Sequence, residues 1–200
     1  HRDVSPQNVL VTFTGDVKLV DFGIAKAATG KEEKPGKLKG KVPYMSPEQA
    51  RGLQDVDHRA DIWSVAAMLF EMLTGRTPFV EELPGDLLVA IVRDEPPTPH
   101  ELVPDVGEPL SAAIMRSLEK DPDDRWPSAR EFREALLAAL PAVLEEHPGA
   151  VYLVVGDGDQ RASPESTVGT AGLSGNVVFA GSRPHVPLAL TPIRPLRRSR

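Results

Sequence analysis

The sequence contains no cysteine, which excludes disulfides and thiolate-held metals. No apolar run approaches the roughly 20 residues needed to cross a bilayer, and no secretory leader is visible. Lysine is absent beyond Lys120, whereas Arg183, Arg194, Arg197, Arg198 and Arg200 crowd the end. That asymmetry sets the tail apart from the front. The net charge of −6 argues against general nucleic-acid binding. At 200 residues the chain is long enough for one domain with a sizeable core. It opens in mid-motif on His1, so the natural N-terminus is expected upstream. A cytoplasmic location is expected for this piece, and no membrane segment is expected in it.

What is present starts with residues 1–23, HRDVSPQNVLVTFTGDVKLVDFG. Val9-Leu10-Val11 and Val17-Lys18-Leu19-Val20 are short β-rich runs. Thr14-Gly15-Asp16 lies between them, which predicts a β-hairpin with its turn near Thr14-Gly15. The hairpin folds Asn8 back towards Asp21, with Asp3 on the loop leading in. Two carboxylates and a carboxamide then gather at its open end. These are hard oxygen ligands plus a possible base, a set that suits magnesium and phosphate.

HRDVSPQN resembles the protein-kinase catalytic loop H-R-D-L-x-x-x-N, and Asp21-Phe22-Gly23 resembles the D-F-G of that family. The resemblance implies that Asp3 accepts the proton of a substrate hydroxyl. It implies that Asn8 and Asp21 hold the magnesium ions bridging the phosphates of ATP. It also implies that His1 packs against Phe22 and takes no part in proton transfer. A protein substrate is the implied partner, with serine or threonine favoured over tyrosine as acceptor.

Residues 24–45 hold Lys31, Lys34, Lys37, Lys39 and Lys41 among glycines and Pro35. This reads as a surface loop. It resembles the kinase activation segment, closing at Ser46-Pro47-Glu48 where many relatives have A-P-E. Arg2 resembles the arginine that pairs with a phosphorylated loop residue. Between Gly23 and Ser46 the only hydroxyl residues are Thr29 and Tyr44. Phosphorylation, if used, is therefore expected on Thr29; the alternative is an anion supplied permanently by Glu32 or Glu33. Two positions depart from the family pattern. Ser5 stands where the family usually has lysine, and Lys41 stands where it usually has threonine. The cation and the hydroxyl have changed places. The expectation is that Lys41 reaches the γ-phosphate while Ser5 hydrogen-bonds it.

Residues 59–74, RADIWSVAAMLFEMLT, are apolar nearly all round and predict a buried helix. Asp57 is its expected N-cap and Gly75 its stop. The stretch resembles the central helix of the kinase large lobe, with Asp61, Trp63 and Ser64 matching. By that resemblance Asp61 anchors the backbone of the catalytic loop and is structural. Shorter helices are expected over 86–93 and 109–120, with Pro96-Pro97-Thr98-Pro99 as an extended connection. His58 and His100 read as solvated. Asp121-Pro122-Asp123-Asp124-Arg125 resembles the family's D-P-x-x-R, which implies a pair between Arg125 and Glu48; a bidentate contact needs arginine geometry. Ser128 and Glu131 form a capping box that opens a last helix through Leu140.

Residues 141–190 do not resemble a kinase. From Pro141 the pattern runs helix, turn and an apolar strand before Gly156-Asp157-Gly158; with a second strand at 176–181 it resembles part of a group-one glycosyltransferase. GDG alone is a weak motif, and two strands make no independent domain. The last residues are rich in proline and arginine and read as disordered. The expected fold is a mainly α kinase C-terminal lobe with a small hairpin over 1–140. A Rossmann-like fragment over 141–182 and a disordered tail over 183–200 would follow. The implied function is ATP- and Mg²⁺-dependent phosphoryl transfer to a protein hydroxyl. The rival is a non-catalytic, pseudokinase-like lobe used for binding, with a glycosyltransferase fragment third. In this family the Gly-rich loop, the phosphate-orienting lysine and its glutamate partner lie upstream of the catalytic loop. This piece alone is therefore expected to bind ATP poorly.

Overall fold

A computed structural model describes residues 1–11, 17–21, 41–146, 152–155 and 177–180. The first element is an antiparallel hairpin of β1 (Val9–Val11) and β2 (Val17–Leu19), paired Val9 with Leu19 and Val11 with Val17. Its predicted turn lies outside the described residues. Helices follow: α1 (Pro47–Ala50), α2 (Arg59–Thr74), α3 (Pro84–Arg93), α4 (Pro99–Leu102), α5 (Glu108–Ser117) and α6 (Ala129–Glu146). A second pair, β3 (Tyr152–Val155) and β4 (Val177–Ala180), is parallel. The described part is mainly helical, as the sequence predicts, and no described helix is long and apolar enough to cross a membrane.

The core forms around α2. Ile62, Trp63, Ala66, Ala67 and Phe70 are buried there, meeting Phe79, Ile91, Leu110, Ile114 and Phe132. Trp63 stacks on Phe79 with ring centroids 6.2 Å apart. α5 packs on both α2 and α6, and α1 rests on α3. α2 stops at Gly75, whose φ of 76° is the left-handed conformation that glycine adopts without a Cβ penalty.

Several local expectations need correction. α2 is not buried all round: Val65 and Met72 are exposed, the latter at 77%. They lie on the helix face that also carries Asp61, four and eleven residues on from it. Asp57 is not the formal cap; His58 holds that position, while Asp57 Oδ1 accepts the Arg59 N–H at 2.8 Å. The carboxylate still satisfies an orphan donor, from one residue further out. α3 starts at Pro84, two residues early, because proline suits the first helical position. α5 starts at Glu108 and its hydrogen bonding gives out at Leu118, short of Lys120. Thr98 is not merely extended; with Glu101 it forms a capping box that starts α4. The two histidines each meet a backbone carbonyl, His58 at Pro127 (2.7 Å) and His100 at Pro104 (3.0 Å). The helix expected through Leu140 and the one expected just after it form a single element, α6. It continues through Pro141 to Glu146, although proline removes one helical donor.

Arg125 holds this base to the stretch that opens α1. It is 1% exposed. Its two terminal nitrogens donate to Glu48 Oε1 and Oε2, both at 2.8 Å. Its remaining donors reach the carbonyls of Glu119, Lys120 and Arg59. Burial raises the Glu48 carboxyl, but the Arg125 fork and the backbone donors outweigh it and hold the group below its ordinary value.

Two outcomes follow from that pair. Arg125→Met strands a buried carboxylate and should cost about 3–5 kcal/mol in denaturant unfolding; a loss under about 1 kcal/mol would show the pair to be dispensable. Glu48 titrates lower folded than unfolded, so its contribution is full at neutral pH and fades as pH falls below about 4. The stability of the native protein should therefore drop more steeply between about pH 5 and 3 than that of Glu48→Gln/Arg125→Met.

Candidate active site

The loop at residues 1–8 is fixed at both ends. At its start, Asp61 on α2 accepts the His1 backbone nitrogen on Oδ2 and the Arg2 N–H on Oδ1, each at 2.8 Å. Two donors on one carboxylate make a strong anchor. The His1 ring donates to the Val20 carbonyl at 3.1 Å; its expected neighbour Phe22 lies outside the described residues. At its end, Pro6–Asn8 forms a 3₁₀ turn closed by Asn8 N–H on the Ser5 carbonyl. The Asn8 carbonyl then accepts Val20 N–H at 2.9 Å, which continues the β1–β2 register by one more pair.

Asn8 is buried, and its Nδ2 donates to the Asp3 carbonyl at 2.7 Å. That bond fixes the amide and leaves Oδ1 as its oxygen for a cation. Asp21 follows Val20 at the open end of the hairpin, exposed, with φ of 59°. Arg2 has φ of 65°. Aspartate visits this region more readily than most residues, whereas for arginine it costs about 1–2 kcal/mol, which the contacts on Arg2 oppose. A carboxamide oxygen and a carboxylate at one hairpin end are hard ligands of the kind magnesium takes alongside phosphate and water. Among the described residues no three His, Asp or Glu side chains gather into a cage, so such an ion would need further ligands from its substrate.

Asp3 and Lys41 meet directly, with Nζ 2.5 Å from Oδ2. Both side chains are nearly buried, at 9% and 12% exposure. The expected hydrogen bond between Lys41 and Ser5 is not formed. Ser5 Oγ is buried without a partner among the described residues, and the ammonium turns to the carboxylate, which offers charge as well as an acceptor. The stretch 41–50 is pinned behind this pair. Tyr44 is buried and its hydroxyl donates to Glu71 at 2.6 Å; burial, then the Glu71 acceptor and charge, push the phenol up. Ser64 donates to the Tyr44 carbonyl at 2.8 Å. A cavity of about 280 Å³ opens beside Asp3, Lys41, Arg2, Tyr44 and Val56.

Asp3, Asn8, Asp21 and Lys41 thus share one end of the hairpin's loop. Glu48 and Arg125 pair behind it, and Asp61 anchors its start. The Arg2 guanidinium donates to the Val56 carbonyl at 2.9 Å and remains exposed. Thr29 lies outside the described residues. Three contacts were not read from the sequence: Tyr44 with Glu71, Arg2 with Val56, and Gln49 with the Arg2 carbonyl at 2.8 Å. Only the last left a trace, since Ser46-x-x-Gln49 has capping-box spacing.

Comparison with known proteins gives a concordant result. The family model described as the protein kinase domain matches residues 1–136. The tyrosine-protein kinase MasK of Myxococcus xanthus is 39% identical over 85% of this chain and 27% of its own length. A probable serine/threonine-protein kinase of Streptomyces coelicolor is 41% identical over 70% of the chain and 21% of its own. Serine/threonine-protein kinase PknB of Mycobacterium tuberculosis is 34% identical over 84% of the chain and 27% of its own. The chain therefore spans about a quarter of the length of the curated relatives it matches. With a family model over most of its length and these relatives, the chain belongs to the protein kinase family.

Proposed function

We propose that the protein to which this chain belongs transfers the γ-phosphoryl group of ATP to a protein hydroxyl, serine or threonine before tyrosine, with Asp3 as the base. The observation that carries this reading is the support around Asp3. Its carbonyl is bound by the Asn8 carboxamide, its carboxylate meets Lys41, and the residue before it is anchored on Asp61. A carboxylate placed so firmly suits a reaction in which positioning and charge neutralisation supply most of the rate.

In this reading Asp3 orients the acceptor hydroxyl and takes its proton as that oxygen bonds to the γ-phosphorus and the bond from phosphorus to the departing ADP breaks. Asn8 Oδ1 and the Asp21 carboxylate would hold Mg²⁺, which would supply neutralisation of phosphate charge. Lys41 supplies the cation beside the base, and the small Ser5 side chain leaves it that place. Thr29 is the candidate modified residue and Arg2 its candidate partner. We assign residues 1–140 to the kinase lobe, with α6 running slightly past that boundary, then a short α/β piece over 141–182 and a basic tail.

A second reading has one observation in its favour: Lys41 occupies an oxygen of Asp3 that a substrate hydroxyl would need. A binding lobe without catalysis would keep such a pair permanently. Assays of the full-length protein separate the two. Transfer of phosphate from ATP with Mg²⁺ to the protein itself, or to a generic basic protein, should fall at least about 100-fold in Asp3→Asn. No transfer from well-folded native protein would favour the binding lobe. Lys41→Ala should lower kcat by about tenfold or more, the scale of a lost charge contact in a transition state; unchanged turnover would remove Lys41 from the mechanism.

A further inference from the structure

The Gln49 side chain makes two sets of bonds on opposite arms of one amide. Its Oε1 accepts from the Ser46 N–H at 3.1 Å and the Ser46 hydroxyl at 3.2 Å. Its backbone N–H returns to Ser46 Oγ, completing the capping box that starts α1. Its Nε2 points the other way and donates to the Arg2 carbonyl at 2.8 Å. The first set is local and belongs to the helix. The second crosses from α1 to the catalytic loop.

The chemistry of the second bond requires an amide. A capping box accepts glutamate or glutamine equally, because only an acceptor is needed. A carbonyl needs a donor, and an ionised glutamate would set a carboxylate oxygen against it. The position therefore does more than cap a helix.

Arg2 is where such a bond has leverage. Its left-handed backbone costs about 1–2 kcal/mol and turns the chain into Asp3. It is held by Asp61 on its N–H, Gln49 on its carbonyl and Val56 on its guanidinium. One net hydrogen bond is worth about 0.5–1.5 kcal/mol, the same size as the strain it opposes. Removing one of the three holds thus shifts the balance measurably.

We propose that Gln49 is a positioning residue. Through the Arg2 carbonyl it makes the direction of the Asp3 carboxylate depend on α1 being in place. Since α1 is itself pinned by Glu48 on Arg125, the base is set only when the segment's end is seated on the helical body. The proposal rests on the kinase reading above for its effect on rate, while the link itself is a structural claim.

Gln49→Glu and Gln49→Met in the full-length protein test it. Gln49→Glu keeps the cap, loses the bond to Arg2 and sets a carboxylate oxygen against that carbonyl. It should keep the native KM for ATP and lose no more melting temperature than one hydrogen bond accounts for, while kcat falls roughly three- to tenfold. Hydrogen exchange at the Arg2 N–H should quicken, with that of α2 and α6 unchanged. Gln49→Met loses both bonds and should show the same fall in kcat together with a lower melting temperature. Native kcat and native Arg2 exchange in Gln49→Glu overturn the proposal. If the native protein transfers no phosphate, the kinase reading falls. Exchange at Arg2 then decides the link alone: faster in Gln49→Glu upholds it, unchanged overturns it.

Discussion

A guanidinium and a carboxylate buried together cannot be left singly in the core, and this constraint organises the molecule. Glu48 and Arg125 are far apart in sequence, one at the foot of α1 and the other after α5. Each is tolerable inside only because of the other. Their meeting brings the end of the 41–50 stretch onto the helical body. The Tyr44 hydroxyl on Glu71 and the Tyr44 carbonyl on Ser64 extend the same seam along α2. Lys41, at the head of that stretch, is thereby delivered to Asp3.

The hairpin supplies the complementary half. Its register fixes Asn8 opposite Val20, so the carboxamide and Asp21 leave the ladder at the same end. Two non-glycine residues in left-handed conformations, Arg2 and Asp21, flank this geometry. Aspartate takes this conformation more readily than arginine does. Asp61 and Gln49 hold the first of them, which shows how strain near a site is met by bonds from elements distant in sequence.

Much of this was legible in the sequence because the signals are local. α2 was bounded correctly by its apolar content and by Gly75, and the hairpin strands were placed by their short β-rich runs, with β2 one residue shorter than read. Ser128 with Glu131 announced α6. The Glu48–Arg125 and Asp61 contacts came from family resemblance rather than from any pattern in the residues. What was not legible depends on competition between partners. Lys41 had both Ser5 and Asp3 within reach, and only three-dimensional placement decides that the charged acceptor wins. The exposure of Val65 and Met72 was hidden for a related reason: composition says a helix is apolar, not which of its faces has a neighbour. Helix was read on both sides of Pro141, and the structure joins the two stretches into one element, α6.

That continuation has a mechanical consequence. The family match ends at residue 136, inside α6, whose last residue is Glu146. From the end of that match to Glu146 the chain is therefore continuous helix. Each residue of an α-helix turns the chain by about 100° and advances it about 1.5 Å. The heading of whatever leaves Glu146 is geared to the number of residues after Leu136. A single insertion there would turn the exit at Glu146 by about 100° around the helix axis.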